Sequence, residues 1–127
     1  MRAVVDIETD AIDATKIHCI VARSADTGET RHWIGDQCRE FGEWSKKIDT
    51  FIMHNGISFD APLLNKFTGS DIKVNQIDDT LIKSQLYNPI RDGGHSLEAW
   101  GNFLGHKKGD YHDFSHFNQE MLKYCYI

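Results

Sequence analysis

Long hydrophobic runs are missing from these 127 residues. No apolar stretch approaches the roughly 18 residues that a membrane-spanning helix requires, so no membrane partner is expected. A strand pattern starts at once at the N-terminus, so a signal peptide is not expected either. Cysteine is scarce. Cys19, Cys38 and Cys125 are odd in number and lack C-x-x-C spacing, which points to buried, reduced thiols rather than a disulfide framework. Basic charge is short as well: the net charge is −5. A stand-alone nucleic-acid binder is usually basic. Lys46-Lys47 and Lys107-Lys108 are only short pairs and read as solvated faces. Phosphate contacts should therefore add little affinity, and a tethered partner domain would have to deliver any nucleic-acid substrate. His112 and His116 stand four apart, half of a zinc site if helical, but no H-E-x-x-H or cysteine partner accompanies them. They read as surface histidines.

What is present fits one soluble globular domain: 40% hydrophobic residues, 26% charged, and a length that buries about two-thirds of the unfolded surface. Ala3 to Glu8 reads as a strand of small and β-branched residues. Lys16 to Arg23 is a second, with Ile17, Cys19 and Val21 on one face, and Thr30 to Ile34 returns as a third after a turn, making a hairpin. Asp36 is expected to cap a helix from about Gln37 to Lys47, with Cys38, Phe41 and Trp44 inward. Thr50 to Met53 is a short apolar run after a helix, the mark of a buried parallel strand. A helix begins near Asp60, carries Pro62 in its first turn and ends at Gly69. Ile72 to Ile77 is a strand candidate. Asp79 or Thr80 caps a helix to Tyr87, Ser96 opens another bearing Leu97, Trp100 and Leu104, and Asn118 starts a last one with Met121, Leu122 and Cys125 inward. Gly105 to Ser115 reads as a long polar loop. The order is a β-meander followed by alternating helices and strands: an α/β fold with a mixed sheet flanked by helices.

Three places carry chemistry. In a strand, Asp6 and Glu8 point the same way as Val4, while Ala3, Val5 and Ile7 face the other side. Two carboxylates so placed repel unless a cation or proton sits between them, and magnesium or manganese are the cations suited to oxygen-only sites. An isolated D-x-E is more often just two surface acids. The second place is His54-Asn55-Gly56-Ile57-Ser58-Phe59-Asp60, after a parallel strand, where open sheets bind ligands. Asp60 serves equally well there as a plain helix cap. The third is Tyr124, which alone reads as a core or boundary tyrosine.

Together these segments resemble the DEDD 3′–5′ exonucleases of ribonuclease H-like fold. Asp6-Ile7-Glu8-Thr9 resembles their first motif and Asn55-x-x-x-Phe59-Asp60 their second. Tyr124-Cys125-Tyr126-Ile127 supplies four positions of the Tyr-x-x-x-Asp motif of the tyrosine subclass. Asp79-Thr80-Leu81, Ser96-Leu97-Glu98-Ala99-Trp100-Gly101 and Lys108-Gly109-Asp110-Tyr111 are similar to the proofreading domain of short-tailed-phage family A DNA polymerases. The resemblance implies a single exonuclease domain over 1–127, apparently truncated where the fourth carboxylate would stand. It implies two divalent ions, magnesium or manganese, held by Asp6, Glu8 and Asp60, with Asp6 bridging both. Tyr124 would orient the attacking water, while Asn55, Phe59 and the backbone near Thr9 would hold the terminal nucleotide. The implied substrate is a single-stranded DNA 3′ end, cut to nucleoside 5′-monophosphates, with a polymerase domain or subunit as partner. The location implied is cytoplasmic, in the host cell if phage-encoded. Two rivals remain at this level: an inactive domain of the same fold that binds DNA ends or a polymerase, and a stand-alone exonuclease acting on RNA or short oligonucleotides.

Overall fold

The strand Arg2–Thr9 (β1) alternates as its sequence dictates: Ala3, Val5 and Ile7 are buried, while Val4 is exposed and Asp6 half-buried. The structure is a computed structural model that describes residues 1–105 and 119–126, without the side chains of Glu120, Lys123, Tyr124 and Tyr126. The predicted loop beyond Gly105, the Lys107–Lys108 pair, His112, His116 and the Lys108–Tyr111 segment all lie outside the described residues.

β1 lies at the centre of a five-stranded mixed sheet. The hairpin strands Ile17–Ser24 (β2) and Thr30–Ile34 (β3) add to one side in antiparallel fashion. Thr50–Met53 (β4) and Ile77–Asp79 (β5) add to the other side in parallel, giving the order β3-β2-β1-β4-β5. Phe41–Ser45 (α1) and Ala61–Thr68 (α2) cover the face of Ala3, Val5 and Ile7. Phe41, Phe51, Ile20 and Leu64 are sealed from solvent in that core. Gln119–Tyr126 (α5) crosses the opposite face, where Met121, Leu122 and Cys125 meet Cys19 and Val21. Thr80–Tyr87 (α3) and Leu97–Leu104 (α4) follow β5. The α/β sheet with flanking helices is therefore as predicted. Among the described residues no helix is long and apolar enough to cross a membrane.

Three details depart from the sequence reading. The register between β1 and β2 shifts between Glu8 and Thr9: Glu8 pairs with Cys19 but Thr9 with Ile17, so His18 is the extra residue of a bulge. A bulge reverses which face later residues occupy. Ile17 therefore joins the main core with Ile20 and Ala22, not the face of Cys19 and Val21.

The helix expected over 37–47 splits into a 3-10 turn, Gly35–Glu40, and the short α1. Its inward residues Cys38, Phe41 and Trp44 recur every third position, the period of a 3-10 helix rather than an α-helix. Asp36 does not cap it: Gly35, at φ +56°, starts the turn one residue earlier.

The strand expected over 72–77 begins only at Ile77. Ile72 has both backbone groups taken by the Asn65 amide of α2, at 2.8 and 3.0 Å, so it has no need of a neighbouring strand. Leu97, Trp100 and Leu104 of α4 do lie on one stripe and line the same cavities, with Leu97 and Leu104 47% and 69% exposed.

Candidate metal and nucleic-acid site

β1 runs past its pairing with β4, which ends at Val4 opposite Ile52. Asp6 and Glu8 thus stand beyond the paired stretch, on the α5 face, with a strand neighbour on the β2 side. Asp6, Glu8 and Cys125 each offer a ligand atom, all within 4.8 Å of one another, and this is the one such trio among the described residues. The Cys125 Sγ lies 3.6 Å from the Asp6 carbonyl oxygen and 3.8 Å from its Oδ2. The neighbouring Cys19 thiol, burial and the two carboxylates all push the Cys125 thiol up, so it stays protonated. A protonated thiol is a poor ligand for a hard cation. The oxygen donors of Asp6 and Glu8 remain, and they suit magnesium or manganese.

The second segment is shaped by its backbone. After β4, Asn55 takes a left-handed conformation, φ 61°, which asparagine tolerates better than most residues. Gly56 follows because nothing larger fits: a Cβ there would stand 2.4 Å from the Cβ of Met53. Gly56–Asp60 then forms a single π turn leading into α2. Such turns are rare and occur often at functional sites.

One buried carboxylate fixes this segment. Asp79 accepts hydrogen bonds from the backbone N–H groups of Asn55 (2.9 Å) and Ile57 (3.1 Å) and, at the start of α3, Leu81 (3.0 Å) and Ile82 (3.4 Å). Its reach follows from the sheet, because β5 sets Asp79 opposite Met53. The sequence marks Asp79 as a cap candidate and as part of the Asp79-Thr80-Leu81 resemblance, with no sign of the bonds to Asn55 and Ile57. The strand adjacency that gives it a second task has no signature along the chain.

His54 sits beside this junction. Its Nδ1 is 3.0 Å from the Thr80 hydroxyl, which donates in turn to the Met53 carbonyl. Among the described residues its Nε2 is buried without a hydrogen-bond partner. Burial lowers the His54 pKa below the ordinary 6.5, opposed by the charge of Asp79.

The predicted residues divide as follows. Asp6 and Glu8 are brought together. Thr9 is buried, with its hydroxyl donating to the Ala11 carbonyl at 3.0 Å. Asp60 is buried at the end of the π turn and makes no side-chain cap to α2, so the plain capping role is not what it does. It is not part of the Asp6–Glu8–Cys125 trio. Asn55 is exposed, and Phe59 packs against the main core. The Tyr124 side chain lies outside what is described, although its backbone belongs to α5.

No family model matches the chain. It is homologous to the DNA-directed DNA polymerases of Escherichia phage T7 and Enterobacteria phage T3, each 25% identical over 94% of this chain. The chain spans about a quarter of the length of these relatives, 24% of each. Among solved structures, the family B DNA polymerase of the hyperthermophilic archaeon Pyrobaculum calidifontis matches 82% of this chain and 18% of its own. The TM-score is 0.59 at 14% identity, a likeness of fold alone. By sequence the chain is thus related to one segment of phage DNA polymerases, and by fold to one part of an archaeal polymerase.

Proposed function

We propose that this chain is a 3′–5′ exonuclease domain of ribonuclease H-like fold, of the kind that proofreads for a DNA polymerase. The observation that carries the reading is the Asp6–Glu8 pair on one face of the central strand, within 4.8 Å of each other, in a chain homologous to DNA polymerases. The strand order, with β1 between an antiparallel hairpin and two parallel strands, supports the fold assignment.

In this reading Asp6 and Glu8 hold divalent magnesium or manganese, with Asp60 as the third carboxylate. The ions, when bound, supply an acidified water and neutralise charge on the leaving 3′ oxygen. The protein's own residues do the rest. Asp79 fixes the backbone at Asn55 and Ile57 so that Asn55 can meet the terminal nucleotide, with the backbone near Thr9 also holding it and Phe59 packing nearby. Tyr124 orients the attacking water. The substrate is a single-stranded DNA 3′ end, and the partner is a polymerase domain or subunit that compensates for the net charge of −5.

A second reading has one observation in its favour. Among the described residues the third group beside Asp6 and Glu8 is the Cys125 thiol rather than a carboxylate, as expected of a domain that binds DNA ends or a polymerase without cutting. Digestion separates the two. With magnesium or manganese and 3′-labelled single-stranded DNA, the exonuclease reading expects nucleoside 5′-monophosphates, lost in Asp6→Asn. Binding without product would favour the second reading, and faster cutting of RNA would move the substrate class.

A further inference from the structure

Asn55 is the one asparagine of the chain that a glycine follows. A glycine in that place puts no side chain between its own backbone nitrogen and the asparagine Cγ. The nitrogen can then attack Cγ, expel ammonia and close a cyclic imide. Water opens the ring at either carbonyl, to aspartate or to isoaspartate. The step consumes one water, releases one ammonia and needs no oxidant.

The Asn55 amide is open to this chemistry from outside. The residue is exposed, and its side chain makes no cap hydrogen bond to the turn that follows. The backbone is what holds it back. Asn55 sits at φ 61° and ψ 30°. With tetrahedral substituents on Cα, that ψ turns the Gly56 nitrogen almost opposite to Cβ about the Cα–C bond. Ring closure needs the same nitrogen on the Cβ side, so the Asn55–Gly56 peptide must swing through nearly half a circle. The hydrogen bonds around that peptide oppose the swing. The Asn55 carbonyl accepts from the Phe59 N–H at 3.0 Å, and the Gly56 carbonyl accepts from the Ala61 N–H. On either side, the N–H groups of Asn55 and Ile57 donate to Asp79 at 2.9 and 3.1 Å. Gly56 itself is buried, and Met53 leaves it no room for a Cβ.

We propose that Asn55 is a deamidation site that the Asp79 clamp keeps shut. The reactant is water, and local opening of the turn sets the rate. In the isoaspartate product the main chain runs through the side-chain methylene, so the lengthened turn no longer presents the Asn55 and Ile57 amides to one carboxylate. Either product adds a negative charge beside Asp79. The inference does not rest on the exonuclease reading, because the conversion is read at Asn55 whether or not the chain cuts DNA.

The test is peptide mapping by mass spectrometry on the full chain, aged at mildly alkaline pH and body temperature. Amide loss is followed at each asparagine, and isoaspartate is labelled with an isoaspartyl methyltransferase. In urea above the unfolding transition, Asn55 should convert ahead of Asn65, Asn75, Asn88, Asn102 and Asn118. In the folded parent it should lose that lead. Asp79→Asn, checked for folding by circular dichroism, should convert Asn55 about tenfold faster than the parent. If that variant does not fold, the parent in urea below its transition decides: the Asn55 rate should climb in step with hydrogen exchange at the Asn55 and Ile57 amides. The proposal is overturned if the folded parent converts Asn55 as fast as the unfolded chain. It is overturned equally if folded Asp79→Asn converts Asn55 no faster than the parent, or if the rate in low urea ignores the exchange of those two amides.

Discussion

On one face of the sheet, Ala3, Val5 and Ile7 meet Phe41, Phe51 and Leu64, and the interior is closed. On the other, the same strand presents Asp6 and Glu8 beside the Cys125 thiol, under a small cluster made with α5 and at the mouth of an open groove. Side chains alternate along a strand, so one short segment serves both faces. The first face stores stability and the second gives it up, since paired carboxylates repel until a cation arrives. Substitutions on the two faces should therefore separate folding from chemistry.

The largest effect belongs to the closed face. Phe51→Ala should cost about 3–5 kcal/mol in urea unfolding, because the ring is 1% exposed and its neighbours cannot collapse into the hole. A loss below about 1 kcal/mol would mean that this face is not the core.

Gly56→Ala comes next. Its Cβ would meet Met53 at 2.4 Å, and both residues are buried. The crowding should cost about 1–3 kcal/mol and should also reduce nucleotide release, since the turn that carries Asp60 must move. Stability lost with activity intact would separate that turn from the site.

Asp79→Asn weakens an acceptor that serves four backbone donors. About 1–3 kcal/mol should be lost, with faster hydrogen exchange at Asn55 and Ile57 than at the α3 amides beyond Ile82. Unchanged exchange at those two amides would remove Asp79 from its positioning role.

The smallest effect is a pH dependence. The folded-state pKa of His54 is depressed below 6.5, so the unfolded chain binds the extra proton first and stability falls as pH drops below about 6.5. Above that the imidazole is neutral in both states and contributes no slope. His54→Gln should flatten the pH profile of the melting temperature between the depressed value and 6.5. An unaltered slope would assign the dependence to another group.

Much of this was legible along the chain. The alternation Ala3-Val4-Val5-Asp6-Ile7-Glu8 states which side is core and which carries charge, and the structure keeps that division. The hairpin, the parallel strand and the last helix's inward residues were equally local matters. What escaped required partners distant in sequence. The bulge at His18 depends on how β2 meets β1, and its effect on Ile17 cannot be read from β2 alone. Asn65 satisfies Ile72 from a separate helix. Asp79 reaches Asn55 because β4 and β5 lie side by side. The Arg91–Trp100 stack joins residues nine apart, a spacing that follows no helix or strand period. The polarity pattern of α4 put Leu97, Trp100 and Leu104 on one stripe, which the structure keeps, while Leu104 stays 69% exposed, because periodicity reports an apolar stripe and not what covers it.

The division between the faces is tested most directly by a calorimetric titration with manganese, run on the parent chain and on Asp6→Asn. The parent should bind weakly and melt at a higher temperature when the metal is present. Asp6→Asn should change metal-free stability by less than about 1 kcal/mol and lose both the binding heat and the rise in melting temperature. Manganese binding that persists unchanged in Asp6→Asn would contradict the account, because the cation would then sit elsewhere and the carboxylate face would be an ordinary acidic surface.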